Sequence, residues 1–509
     1  MALAADLVVL AQATAEELEG SLSLDSFVLA EQFYFFTVVI MWLIHAGFMA
    51  YEAGAARRKN IMSTAMKNIL TIAVVTPSFY YFGWYIYGCF EQGGPGLPGV
   101  SNGSFLGGAG HNGPAALEGF CGLTAPWSDA MGPNLQDHIS AVFFLAFLLF
   151  SWTTASIMSG ALIERIRLSA YLLLAVLLGS GVWIMDAAWG WSAGGWLTTR
   201  FGFHDAIASA VVHGVAGAFT LGVLLNLGPR IGKYDMAGRA RTFRGHNTHL
   251  TLMGLMLIFT GFYGFYAACL VIQSTTFPGW LNIYLSPTTL GSIAFVITVG
   301  FAGGFTGGWF ASRGDPFWTL SGGLAGVIAV SAGADVYHPS LAYLLAASGG
   351  MLAVYAGTWI ERRLRLDDAV GAVAVHGVCG FYGVFLVGIF AGGYPTGVNN
   401  VETSFGGQLM GMMAFLPLGF LPGFIAAWIL KKLNLLRVPP EVELEGLDMA
   451  EFQQDFFPEF ERVPETVVLP DGEEVDSAAI LLEAYSQLHN GHGERGAVAA
   501  RPGDERRSP

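Results

Sequence analysis

Charge is scarce in this chain: 12% of its 509 residues are Asp, Glu, Lys or Arg, against roughly 25% in soluble domains. A composition so poor in charge excludes an ordinary water-soluble surface. Basic residues are scarcer still, 24 against 38 acidic ones, and the net charge of −14 excludes the electrostatic footprint of a nucleic-acid binder. Four cysteines are too few to build a disulfide scaffold. The acidity itself is local: from Glu441 to the end 17 Asp or Glu stand against 5 Arg, a balance of −12 that leaves −2 for everything before it. That tail finishes "GHGERGAVAARPGDERRSP", has few large apolar residues after Phe460, and reads as disordered toward its end.

Apolar length is what the chain has in abundance, with 53% hydrophobic residues and a mean hydropathy of +0.53. A helix of about 20 apolar residues crosses a hydrocarbon core of about 30 Å. Runs of that kind recur at 27–50, 66–88, 138–162, 168–187, 205–227, 248–272, 287–311, 317–333, 340–360, 370–391 and 405–430. The expected fold class is therefore an all-α polytopic membrane protein with eleven transmembrane helices. Residues 1–26 form a leader, 27–430 a membrane domain, and 431–509 an acidic tail.

Orientation follows from the loops, because short loops rich in Lys and Arg stay cytoplasmic. With the N-terminus outside, 18 basic residues fall in cytoplasmic connections, among them Arg57, Arg58, Lys59, Arg165, Arg230 and Lys233. Only Arg200 falls opposite. A multi-pass protein of the cell membrane is expected, with a cytoplasmic C-terminus. The opening "MALAADLVVLAQATA" has an apolar stretch but carries Asp6 and no basic start, which leaves a cleaved signal and a loose extracellular leader both open. Cys89 and Cys121 bracket a Gly/Pro-rich outer loop, where they are a disulfide or two free thiols. Cys269 and Cys379 lie in apolar runs and read as filler.

Two stretches stand out chemically. "AVVHGVAGAF" places His213, and "AVAVHGVCGF" places His376, in the same V-H-G-V-x-G setting inside runs five and ten. If the first ten runs are two sets of five, the second set starts on the opposite side of the membrane, which makes an inverted pseudo-repeat and brings the two histidines together at mid-depth. Ionisable groups inside a membrane are costly and mark functional sites. Two neutral imidazoles, each donor and acceptor, offer a small polar solute a relay. The glycine after each histidine lets another helix or a small solute come close. Bis-histidine haem ligation is the other chemistry that such a pair permits.

Asp205, eight residues before His213, reads both as a helix cap and as a carboxylate that draws cations to the outer pore mouth. Asp367 and Asp368 look like the matching device before run ten. Aromatics thicken at the same outer end, with Trp189, Trp191 and Trp196 in "AAWGWSAGGWL", Phe150 in "LLFSW", and "GFYGFY" from Gly261 to Tyr266. Interfacial belts explain many such residues, and a cation–π vestibule explains their combination with an acid.

The blocks "GFMAYEAGAARRKN", "SGALIERIRLSAY", "FHDAIASAVVHGVAG", "GGLAGVIAVSAGAD", "RLDDAVGAVAVHGVCG" and "LRVPPEVELEGLD" resemble, in order from about Phe27 to Asp448, the ammonium transporter (Amt) family. The resemblance implies a homotrimer with one pore per subunit, recruiting ammonium and passing ammonia, with the proton moving separately. It implies that His213 and His376 are the paired pore histidines, that Asp205 supports the external site, that Phe150 and Phe265 are the two gating phenylalanines, and that Trp191, with Trp189 a near competitor, lines the recruitment site. Neither an enzyme nor a cofactor or metal is implied.

The departures cluster at the outer end. Where the family commonly has "GFNGGS", this chain has Tyr266 and Cys269, and four residues before Phe150 the usual aromatic is Ala146. Ammonium held by Trp191, Phe150 and the Tyr266 hydroxyl is the expectation for this altered site. "EVELEGLD" resembles the family's regulatory C-terminal segment, which packs under neighbouring subunits, and a PII-type regulator at the cytoplasmic face is a partner that the resemblance allows. Two other readings of the same fold stay open, a non-conducting ammonium receptor and a Rhesus-like channel for ammonia or carbon dioxide.

Overall fold

A computed structural model of the protein describes residues 2–90, 140–243, 245–273, 279–394, 401–454, 456, 466–468 and 474–476. Each of the eleven apolar runs is a helix. Ten are long and apolar enough to cross a membrane: α1 (Val28–Ala55), α2 (Arg58–Tyr87), α3 (Val142–Ala161), α4 (Leu168–Gly190), α5 (Ser209–Leu227), α6 (Thr248–Ala268), α7 (Leu290–Ser312), α9 (Pro339–Leu364), α10 (Val373–Phe390) and α11 (Phe405–Lys432). The eighth, α8 (Pro316–Ser331), has 16 residues. At about 1.5 Å per residue it falls short of a core of about 30 Å.

Local chemistry sets the helix starts. The side chains of Asn247, Thr289, Asp315 and Ser404 each accept a backbone N–H in the first turn of α6, α7, α8 and α11, and Pro316 occupies the start of α8. These are the residue types that satisfy the orphan donors of a helix N-terminus. The residues expected to form a loose leader are instead helical, since the helix containing α1 runs unbroken over Ala2–Ala55. "ALAADLVVLAQATAEELEGSL" is rich in strong helix formers and has no proline to stop them.

Helices pack through small residues rather than through a hydrophobic drive, which lipid does not supply. The clearest case is α1 along α6: a Cβ added to Gly47 would stand 2.6 Å from the Gly254 carbonyl oxygen, and one added to Gly254 would stand 2.3 Å from the Tyr51 nitrogen. Elsewhere α7 packs against α8 and α9, and α5 against α11. Large apolar side chains such as Phe36, Phe82, Phe310 and Met413 stay exposed on the outside of the bundle, where lipid is the natural neighbour. Between α6 and α7 a small antiparallel sheet, β1 (Val271–Gln273), β2 (Gly279–Leu281) and β3 (Pro287–Thr288), sits beside the site end of the bundle.

The chain divides into two compact units, Met1–Phe452 and Gln453–Pro509. The first therefore extends past residue 430. Beyond α11, Arg437 donates to the carbonyls of Leu227 and Pro229 and pairs with Glu443, whose other oxygen accepts from the Ile231 nitrogen at 2.7 Å. Two short helices follow, α12 (Pro440–Glu445) and α13 (Leu447–Phe452). Asp448 then caps the start of α2, accepting from Met62 and Ser63 at 3.0 and 2.8 Å. The "EVELEGLD" segment is thus a clamp on its own chain's α2 and on the loop after α5. Loss of such a cap costs about 1 kcal/mol, so Asp448→Ala is expected to lower the melting temperature of the detergent-purified protein by a few degrees.

In the second unit, β4 (Thr466–Val468) and β5 (Glu474–Asp476) pair antiparallel. Cys121, the side chain of Cys89 and the end of the tail lie outside the described residues, and with them the expected pairing of those cysteines.

Candidate functional site

The same local device opens α5 and α10. Asp205 accepts from the backbone N–H groups of Ser209, Ala210 and Val211 at 2.6, 2.7 and 3.1 Å, and Asp368 accepts from Ala372 and Val373 at 2.9 and 2.7 Å. Each carboxylate stands eight residues before its histidine. Five residues before each histidine the backbone is left-handed, at Ala208 with φ 57° and at Gly371 with φ 75°. A π-helical turn follows in both places, Ser209–Gly214 and Val373–Val378, and each π turn contains the histidine. Single π turns recur at functional sites because the extra residue re-aims side chains.

Asp367 and Asp368 have different jobs. Burial alone would raise the Asp367 carboxyl, but the Arg165 and Arg230 guanidiniums outweigh it and hold it well below the usual carboxylate range. Arg230 grips it at 2.8 and 2.9 Å and also approaches Glu164, which pairs with Arg57. Among the described residues no guanidinium bonds Asp368, and burial pushes it up to about 6 against the bonds from Val373 and Ala372. Only Asp368 therefore repeats what Asp205 does.

The two histidines meet. Nδ1 of His213 lies 3.0 Å from Nδ1 of His376, both rings are buried, and the rings are inclined by 29°. Glycines make the approach possible: a Cβ on Gly217 would stand 2.2 Å from Gly377 Cα, and one on Gly380 would stand 2.5 Å from the Gly214 nitrogen. The first glycine of each V-H-G-V-x-G stretch thus faces the last glycine of the other. Of the two purposes open for these glycines, close contact with another helix is the one seen. An Nδ1–Nδ1 hydrogen bond needs one ring protonated at Nδ1 and the other at Nε2. In the neutral pair the two Nε2 ends therefore differ, one a donor and one a bare acceptor. A second added proton would put two charges about 3 Å apart, a repulsion on the order of 5 kcal/mol at an effective dielectric near 20, so the pair carries at most one. A metal bound between these nitrogens would need them about 4 Å apart across two bonds of about 2.0 Å. The haem arrangement does not fit this contact.

Above the pair the site is aromatic. Phe262 stacks on His213 at 5.8 Å and 9°, and on Phe265 at 5.4 Å and 20°. Phe150 meets Phe265 edge to face, with centroids 4.2 Å apart. Trp191 in turn packs on Phe150 at 5.1 Å, whereas Trp189 packs on Trp196 at 5.8 Å. Trp191 is thus the tryptophan that joins the column. Phe147 packs against Phe150, Trp183 and Trp191, an aromatic one residue along from Ala146. Phe150, Phe265 and Trp191 are fully buried, so the column is closed.

The remaining sequence-derived residues divide. The Trp191 indole nitrogen donates to the Ala206 carbonyl at 3.3 Å, beside Asp205. Tyr266 turns its hydroxyl away into α8, bonding the Val327 carbonyl at 2.9 Å and the Ser331 hydroxyl. Cys269 donates to the Phe265 carbonyl at 3.3 Å. Tyr266→Phe is therefore expected to lose about 1 kcal/mol of stability for the hydrogen bond removed, read as a fall of a few degrees in the melting temperature of the detergent-purified protein. Sequence reasoning gave Phe262, inside "GFYGFY", no role of its own, and it missed Tyr284. Phe262 lies three residues before Phe265, one turn along the same helix face, which is a legible signal. Tyr284, whose hydroxyl accepts from the Asp205 nitrogen and donates to the Gly190 carbonyl at 2.8 Å each, arrives on the β2–β3 connection with no motif around it.

Residues 32–457 match the Ammonium Transporter Family, and the chain belongs to that family of membrane proteins. It is 30% identical over 442 residues to ammonium transporter Amt2 of Archaeoglobus fulgidus, spanning 83% of this chain and 86% of that one. Among solved structures it resembles a "Sensor Amt Protein", with a TM-score of 0.69, 25% identity, and coverage of 84% of this chain and all of that one. The fold is also that of Candida albicans Mep2, with a TM-score of 0.63, 22% identity, and coverage of 88% and 94%.

Proposed function

We propose that this protein takes up ammonium: the cation is recruited at an outer vestibule formed by Asp205, Trp191 and Phe150, sheds its proton at the Phe150–Phe265 constriction, and passes as ammonia along His213 and His376. The proton moves separately. The observation that carries this reading is the Nδ1–Nδ1 contact of two buried imidazoles beneath a closed aromatic column. Such a constriction strips water from a cation and penalises its charge, whereas a neutral molecule of the same size pays far less. A neutral ammonia then needs hydrogen-bond partners, which unlike Nε2 ends supply, and Nε2 of His213 has no partner among the described residues. Cys269 and Tyr266 complete the wall of the vestibule rather than holding the cation by hydroxyl or thiol.

The same proposal takes α8 as the eighth of eleven spans and treats α1–α5 and α6–α10 as inverted repeats. The shared carboxylate, left-handed residue and π turn at Asp205–His213 and Asp368–His376 support it. It also takes the N-terminus as external, the C-terminus as cytoplasmic, the assembly as a homotrimer with one pore per subunit, and a PII-type protein as a partner at the cytoplasmic face.

A non-conducting receptor is the second reading, favoured by the likeness to the "Sensor Amt Protein" together with Tyr266 and Cys269 where the family commonly differs. Rapid ammonium addition to proteoliposomes separates the two. A sustained ammonium-specific current, absent with potassium and without protein, is the expected result. A brief binding transient alone would establish the receptor.

A further inference from the structure

A buried acid on α1 has no part in this account. Glu52, on α1, is 1% exposed and lies toward the end of the bundle opposite Asp205. With His376, Phe48, Tyr51, Ser321 and Val375 it lines a cavity of about 10 Å³, roughly the space that one water molecule requires. The acid and the inner histidine thus share one enclosed space. Asn68 donates to Glu52 Oε2 at 2.9 Å, and the Ser159 hydroxyl bonds Oε1.

Ser159 is suited to both protonation states of that carboxyl, because a hydroxyl has one hydrogen and two acceptor positions. When Glu52 is ionised, Ser159 donates to it. When Glu52 is protonated, it donates to Ser159, whose hydrogen turns to the Ser156 carbonyl 2.7 Å away. Neither state leaves a polar atom of the contact unpaired, which matters because a buried unpaired group costs about 1–3 kcal/mol. Lys67 on α2 is fully buried, and among the described residues its ammonium group has no hydrogen-bond partner.

We propose that Glu52 is the proton station of the inner half of the pore. The histidine pair, protonated once by ammonium, passes its proton from the His376 ring through a water in the shared cavity to the Glu52 carboxylate. The N–H bond at the ring breaks, the ring nitrogen keeps the electron pair, and an O–H bond forms on Glu52, which later releases the proton to cytoplasmic water. Ser159 and Asn68 are positioning residues. This inference rests on the transport reading.

The test uses the full chain in proteoliposomes containing a trapped pH dye, reading current and interior pH together after an ammonium jump. In the wild type, current is expected with little interior alkalinisation, because the proton accompanies ammonia. In Glu52→Gln, ammonia enters without its proton: the current falls at least tenfold while the interior turns alkaline faster than in protein-free vesicles. Glu52→Asp is expected to recover part of the current. A Glu52→Gln protein that elutes as wild type and keeps the wild-type current overturns the proposal. Should Glu52→Gln not fold, Ser159→Ala is expected to lower the current severalfold with ammonia entry kept, and an unchanged current overturns the proposal as well. A wild type showing neither current nor alkalinisation defeats the transport reading itself, and a wild type that alkalinises without current leaves ammonia passage standing and removes Glu52 from it.

Discussion

His213→Ala is expected to abolish the sustained ammonium current, lowering it by about 10²–10⁴-fold, the range over which a positioned proton carrier contributes. The reason is specific to the contact. His376 Nδ1 loses the ring partner that it has at 3.0 Å, so among the described residues the surviving imidazole has no unlike ring to exchange a proton with. Alanine also frees the face on which Phe262 stacks, which opens room for water without restoring a relay. His376→Ala is expected to cost about as much. The double substitution should cost little more than either single one, because groups that act as one unit are not additive. Currents of the three variants on proteoliposomes, with reconstitution checked by protein content, decide this. Two single losses that multiply in the double variant would mean that the rings work independently.

The second large effect is at Asp205, where charge and capping are superimposed. Asp205→Ala leaves the N–H groups of Ser209, Ala210 and Val211 without their acceptor. At about 1–3 kcal/mol per buried orphan donor this is expected to abolish folded protein. Asp205→Asn separates the two roles in part, since an amide oxygen at the Oδ2 position still accepts from Ala210 and Val211, while the bond from Ser209 and the negative charge are gone. That variant should elute as wild type yet need at least tenfold more ammonium for half-maximal current, the change that about 1.4 kcal/mol of lost attraction would produce. An unchanged half-maximal concentration in a folded Asp205→Asn protein would reduce the carboxylate to a cap.

How much of this was legible from the residues differs by element. Apolar length located the ten helices long enough to cross a membrane and the shorter α8, because lipid leaves a crossing chain no other way to satisfy its backbone. The repeated V-H-G-V-x-G stretch and the acid eight residues upstream marked both halves of the site. Two readings changed on contact with the fold. Tyr266, taken as a hydroxyl for the cation, faces Val327 and Ser331, since a residue directly after Phe265 on a helix points about 100° away from it. Asp367, paired by eye with Asp368, belongs to the arginines instead. Adjacent acids look equivalent in a string and diverge when one meets a guanidinium.

The sequence by itself determined that this is a helical membrane protein, which residues are ionisable within its apolar runs, and which two segments are alike. Those are local properties, set by hydropathy, by residue chemistry and by spacing along one chain. Only the tertiary structure decided that His213 touches His376, that the glycines of the two motifs face each other, that Trp191 rather than Trp189 joins the aromatic column, and that Glu52 shares a cavity with His376. Each of these depends on side chains brought together from helices far apart in the chain, 163 residues apart in the case of the histidines, and no pattern along one segment encodes the rotation of another.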